Sequence, residues 1–250
     1  MAKTTVKENI DLLRYMKLPT MADEYETQSK DTSFEKYGFD LRLSILLNKE
    51  NDSRINHTIS KNIKAARFPI SSVSFNDLNK DPDRKLQLNI IENLKSNDYI
   101  SNGLNIIIIG ATGVGKTWLS CAYGYLACEN RYRVKYVRLI ELLSDIESAR
   151  IQNRYRSYIR SYSKYDLLII DDFLLQETSE TERNDILEIL EIRNNRKSTI
   201  FASQFSPEGW HNKLGSGPVA DAILDRIINS SYQILLQGKS LRETYSKIKV

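Results

Sequence analysis

The chain has 250 residues, 41% of them hydrophobic and 27% charged, a balance that builds a sizeable core in one large domain, with or without a small appendage. Its net charge of +4 permits an anionic partner without requiring one, because nucleic-acid binding depends on clustered cations rather than on a total. No apolar run approaches the roughly 20 residues of a membrane span, and "MAKTTVKENIDLL" has no apolar core of signal-peptide length, so no membrane role and a cytoplasmic location are expected.

From about Val6 to Phe68 the pattern is helical. "NIDLLRYMKLPTMADEYE" aligns Ile10, Leu13, Met16 and Leu18 near one face, with Pro19 interrupting. "GFDLRLSILLNKENDSRINHTISKNIKAARFP" predicts one or two further helices that end before Pro69. "ISSVSFNDLNKDPDRK" has the Ser, Asn, Asp and Pro content of a connector. The expected organisation is therefore a small all-helical N-terminal domain over residues 1–70, a linker over 71–82 and a second domain over 83–250. In that second domain, short apolar runs ("LNIIII", "VKYV", "LLIID", "STIFA", "YQILL") are separated by longer polar or amphipathic stretches. Continuous apolar runs of this length suit strands buried on both faces, which predicts an α/β fold with a parallel sheet flanked by helices. Cys121 and Cys128 fall in one predicted helix at a spacing that suits neither a disulfide nor a metal site; they read as core residues.

Residues 105–109 lead into "GATGVGKT", made of Gly110, Ala111, Thr112, Gly113, Val114, Gly115, Lys116 and Thr117, and then into a predicted helix that opens with Trp118. This is G-x-x-x-x-G-K-[ST] between a strand and a helix, the P-loop pattern. Glycines let consecutive backbone N–H groups turn inward around phosphate oxygens, and the helix adds its positive end. Lys116 supplies a mobile cation for the β- and γ-phosphates, and the Thr117 hydroxyl is the expected Mg²⁺ ligand. These eight residues and Trp118 are the expected nucleotide contacts. Downstream, "YDLLIIDDF" places Asp171 at a strand end, where it would hold Mg²⁺, and Asp172 where many ATPases carry a glutamate that orients the attacking water. The strand "STIFASQF" ends in Ser203 and Gln204; either could reach the γ-phosphate, or simply satisfy a strand-end hydrogen bond. No N-K-x-D sequence is present to read guanine, so ATP is expected over GTP.

Between these motifs lies "RIQNRYRSYIRSYSKYD", residues 150–166. At 100° per residue Tyr155, Tyr158, Tyr162 and Tyr165 form one stripe, and Arg156, Arg160 and Lys164 another, with Arg150 and Arg154 beyond the tyrosines. The tyrosines suit packing on the sheet. The cations are either a solvated face or a track for DNA phosphates, and the stretch has almost no acids of its own to neutralise them.

Taken together, "LLRYMKLPTMADEYE", "IKAARFP", "GATGVGKTWLSCA", "LLIIDDF", "STIFASQF" and "DAILDRIINSS" resemble the IstB-like ATP-binding proteins, AAA+ helpers of bacterial insertion sequences. Less closely, the chain is similar to the helicase loader DnaC. The resemblance implies a homo-oligomer with shared ATP sites that assembles on and remodels double-stranded target DNA and recruits and stimulates a transposase; a replicative helicase loader is the alternative. It implies that Ser203 is the polar sensor, that Arg226 reaches into a neighbouring subunit's ATP, and that Arg242 in "GKSLRET" is a second phosphate sensor. It also implies that the segment preceding the Asp171 strand faces DNA, through Arg150, Arg154, Arg156, Arg160 and Lys164. Residues 237–250 are too few for the separate C-terminal lid of larger AAA+ proteins.

Overall fold

The computed structural model describes residues 2–78 and 82–241. It divides into two compact units, Met1–Lys61 and Asn62–Val250. The first holds α1 (Ala2–Tyr15), α2 (Pro19–Lys30), a 3₁₀ turn (Thr32–Lys36) and the start of α3 (Phe39–Ala66). Lys17 turns left-handed between α1 and α2. Pro19 then opens α2, where its missing N–H costs no hydrogen bond. Within this unit Glu50 accepts from the Met21 N–H (3.1 Å) and from Arg54 Nε (2.8 Å), while Arg54 Nη2 donates to the Lys17 carbonyl (2.7 Å).

The second unit continues through 3₁₀ turns (Phe75–Asp77, Pro82–Arg84), α4 (Leu88–Asn93) and α5 (Asp98–Ser101), and then alternates strand and helix. In chain order these are β1 (Asn105–Gly110), α6 (Lys116–Glu129), β2 (Val134–Arg138), α7 (Leu139–Ile151), α8 (Tyr155–Ser161), β3 (Leu167–Asp171), α9 (Glu180–Arg193), β4 (Ser198–Ser203), α10 (Pro207–Lys213), α11 (Pro218–Ile228) and β5 (Ser231–Leu236). All five apolar runs are strands, in one parallel sheet of order β2-β3-β4-β1-β5. Alternate residues of each strand feed two cores. Ile106, Ile108, Ile169 and Ile200 pack with Leu119 and Tyr123 of α6, whereas Ile107, Ile170 and Phe201 pack with α7, α9 and Trp210 of α10. A three-layer α/β sandwich results. At Gly124, α6 comes so close to the sheet side that an added Cβ would lie 2.5 Å from Phe68 and 2.9 Å from Ile169.

The division at residue 61 lies ahead of the boundary expected at 70, and packing explains the difference. Ala66, Val73 and Leu78 are buried in the same core as α6, with Ile63, Phe68 and Ile70 packed against it. Residues that read as a helix end and a connector are thus part of the α/β unit.

Candidate nucleotide site and basic face

Gly110 ends β1 under the neighbouring β5, where an added Cβ would meet the Leu236 carbonyl at 2.5 Å. The chain then turns through Gly113 (φ 84°) and Gly115 (φ 101°) into α6, a left-handed geometry that glycine adopts at little cost. Lys116 is buried, and its ammonium donates to the carbonyls of Gly110 and Ala111, both at 2.9 Å. The Thr117 hydroxyl donates to Asp171 Oδ2 at 2.6 Å. A second hydroxyl, that of Tyr136 on β2, donates to the same oxygen at 2.7 Å, and the Asp172 N–H donates to Asp171 Oδ1 at 3.0 Å. Burial, reinforced by the Asp171 charge, raises the Tyr136 hydroxyl well above the usual phenol range and pushes the nearby Cys121 thiol up to about 12. Both stay protonated at neutral pH.

A cavity of about 490 Å³ opens over this loop, walled by Thr112, Gly113, Gly115, Lys116, Thr117 and Trp118 together with Asp172 and Gln204. Pro69, Ile70 and Leu241 complete it. Trp118 also borders a second cavity of about 350 Å³, with Leu78, Leu119 and Leu236 as its apolar lining. Val114 is buried behind the loop, and its carbonyl accepts from Arg84 Nη2 at 2.7 Å. The residues fit a nucleoside triphosphate: a glycine-containing loop leading into a helix N-terminus, one lysine and an adjoining apolar recess. No group of three or more His, Cys, Asp or Glu side chains among the described residues could hold a metal. A cation would therefore rest on Thr117, Asp171 and the ligand's own phosphate oxygens, which is how Mg²⁺ is commonly held.

Among the other expected site residues, Asp172 lines the cavity in a left-handed conformation (φ 51°). Ser203 does not line it. Its hydroxyl is fully buried, donates to the Phe173 carbonyl (2.8 Å) and accepts from Trp210 Nε1 (2.9 Å) and the Phe205 N–H (3.2 Å). These bonds fasten β4 to α10 and leave Gln204, the next residue, at the cavity wall. Arg226 lies on α11, with Nε 2.7 Å and Nη2 2.6 Å from Glu191 of α9. Arg242 lies outside the described residues; close to it in sequence, the Leu241 N–H donates to the Gly113 carbonyl at 2.9 Å.

The basic stretch is not one helix. Asn153 turns left-handed (φ 54°), so Arg150 belongs to α7, and α8 is followed by a 3₁₀ turn at Tyr162–Lys164. Arg150 is neutralised by acids from outside the stretch: it bonds Glu147, donates to the buried Asp185 of α9 at 2.6 Å, and stacks on the Tyr155 ring. Arg150 is therefore not an uncompensated cation: Glu147 stands just ahead of the basic stretch, and Asp185 comes from α9, outside its sequence neighbourhood. Tyr162 is buried, and Tyr155 and Tyr158 donate to Asp185 (2.9 Å) and Asp145 (3.1 Å). Arg154, Arg156, Arg160 and Lys164 are exposed. Among the described residues the Arg154 side chain bonds Gln152, and Lys164 sits over the Tyr165 ring. Sequence reasoning missed a fully buried arginine beneath them. Arg193 donates to the carbonyls of Tyr162 (2.7 Å), Tyr165 (2.9 Å) and Ser198 and to the Thr199 hydroxyl (3.2 Å).

Residues 11–248 match the family described as IstB-like ATP binding protein. The chain belongs to this family. A relative of this IstB-like chain, the insertion sequence ATP-binding protein y4uH of Sinorhizobium fredii, is 33% identical over 233 residues, covering 93% of this chain and 94% of its own. Two solved structures share the fold. DnaA from Aquifex aeolicus bound to AMPPCP matches with a TM-score of 0.57 at 21% identity, over 73% of this chain and 58% of its own, so the IstB-like chain spans little more than half of it. The DnaC helicase loader matches with a TM-score of 0.55 at 18% identity, over 71% of this chain and 99% of its own. The IstB-like chain thus shares the fold of these two structures.

Proposed function

We infer that this IstB-like chain is an ATPase that assembles on double-stranded DNA, remodels it, and recruits and stimulates the transposase of an insertion sequence. One observation carries the ATPase part: Thr117 and Asp171 meet at 2.6 Å at the mouth of a loop whose lysine is already gathered inward. The transposition part rests on family membership and on a third of residues shared with an insertion-sequence protein. Helicase loading, the other reading, has only a fold likeness at 18% identity in its favour.

In this reading the loop N–H groups take the β-phosphate, and Lys116 exchanges the Gly110 and Ala111 carbonyls for phosphate oxygens. Thr117 and Asp171 would hold Mg²⁺, which when bound would neutralise phosphate charge. Asp172 and Gln204, on the facing wall, orient a water. Its oxygen bonds the γ-phosphorus as the bond to ADP breaks, and its proton passes to Asp172 or solvent. Arg226 leaves Glu191 to meet the ATP of a neighbouring subunit, where an always-charged planar cation stabilises the transferring phosphoryl group. Arg154, Arg156, Arg160 and Lys164 contact DNA phosphates; Arg150 instead holds the α7–α8 corner in shape.

The test is Lys116→Ala in the full chain. ATP affinity, turnover and ATP-dependent assembly on duplex DNA should all be lost, the last read by electron microscopy with a non-hydrolysable analogue. Wild-type assembly and turnover in this variant would refute the site.

A further inference from the structure

Three separate stretches of chain meet at the N-terminal end of the edge strand β2, and each brings cations. Asn62, in α3, donates from Nδ2 to the carbonyls of Arg131 (3.2 Å) and Tyr132 (3.0 Å). This ties the end of that helix, with exposed Arg67, to the turn entering β2. The Arg133 carbonyl accepts from the Asp166 N–H at 2.8 Å, and its N–H donates to the Asp166 carboxylate at 2.9 Å, which brings Lys164 to the same corner. Lys135 follows within β2, half-buried.

Several cations of this unit are matched: Lys197 pairs with Asp166, Arg138 with Glu141 and Arg226 with Glu191. Among the described residues, Arg67 and Lys135 have neither an ion pair nor a side-chain hydrogen bond. Burial and then the Arg67 charge, with Lys164 contributing, hold the Lys135 ammonium below its ordinary range; Asp145 and Glu141 oppose this, but they are engaged by Tyr158 and Arg138. Gathered like charges destabilise the fold unless a counter-charge arrives from outside. A lysine on an edge strand also guards against pairing with another strand, but that does not account for Arg67, which lies on no strand.

We propose that Arg67 and Lys135, together with Lys164, form a docking surface for the phosphate backbone of duplex DNA, continuous with the exposed cations of α8. The surface rests on the DNA-binding reading above and adds to it two cations from outside the basic stretch. It lies at the N-terminal end of β2, whereas the nucleotide loop follows the C-terminal end of β1 in the same parallel sheet, so DNA and ATP occupy opposite ends of the strands.

The experiment is duplex binding by the full chain with Mg-ATP across a salt series, comparing wild type with Arg67→Ala/Lys135→Gln. The slope of log affinity against log salt should fall by about 0.9 for each cation removed, with ATP affinity unchanged. A wild-type slope in the double variant overturns the proposal and leaves the proposed function standing. Absence of duplex binding by the wild type overturns the function itself, and this surface with it. Lys135→Glu separates edge protection from docking: a guard tolerates either sign of charge, while docking requires weaker binding. Should the double variant lose ATP binding through misfolding, Arg67→Ala alone, at an exposed helix end, carries the same expectation for one cation, and an unaltered slope there counts against the proposal.

Discussion

Tyr136 braces Asp171, the proposed magnesium ligand, without itself lining the cavity. It presses a hydroxyl onto the oxygen of Asp171 that Thr117 also meets, fixing the carboxylate in one rotamer. Tyr136→Phe keeps the ring and removes that bond. It should leave ATP binding nearly intact while weakening the response to Mg²⁺ by about 10–100-fold, as outer-shell changes commonly do; a magnesium titration of turnover reads this. Arg226 makes a different demand. Its bonds to Glu191 are exposed and contribute little stability, so Arg226→Ala should melt like wild type and bind ATP as well. Turnover in the DNA-bound assembly should nevertheless fall by about 10³–10⁵, and mixing with wild type should restore it in part. Equal turnover would remove Arg226 from the site.

Among the elements, the strands were legible because burial on both faces leaves an unbroken apolar run, and the P-loop was legible because its glycines and lysine follow one another along the chain. The surroundings of Ser203 and Arg150 were not legible, for the opposite reason. What occupies Ser203 comes from Trp210, and Arg150 is neutralised by Asp185, 35 residues away, as well as by the nearby Glu147. Tyr136 left a weak signal, since a tyrosine in a doubly buried strand needs a hydroxyl partner. The corrected role of Arg150 has a measurable form. Arg150→Ala should cost about 1–2 kcal/mol of stability, because Asp185 keeps only its bond from Tyr155, and the salt slope of DNA binding should not change. Replacing Arg156, Arg160 and Lys164 with alanine should do the reverse: little change in melting, and a slope lower by up to about 2.7.

Across the whole molecule charge is unevenly shared. The first 61 residues hold ten basic and ten acidic side chains, so the entire excess of +4 lies in residues 62–250, the unit that carries both proposed DNA surfaces. The core adds a pH signature. Cys121 and Cys128 are pushed up to about 12 by burial, and so is Tyr155, with Tyr136 and Tyr162 also raised. The native state therefore keeps protons that the unfolded chain releases above about pH 9. The stability these groups contribute is complete below that pH and lost as pH climbs toward 12. Melting temperature should be flat from pH 7 to 8 on their account and fall steeply beyond 9; a flat curve to pH 11 would contradict the burial assigned to them.

Arg193 carries the last consequence. Burial brings its guanidinium down to about 9, so it is still cationic at neutral pH, and it holds the final turn of the basic stretch to the start of β4. The main chain next to Arg160 and Lys164 is consequently tied to the sheet, and a phosphate strand settling there should have mainly side-chain tips left to order. Association should then forfeit little conformational freedom, giving a smaller entropic penalty on calorimetry than a tethered basic tail of equal charge.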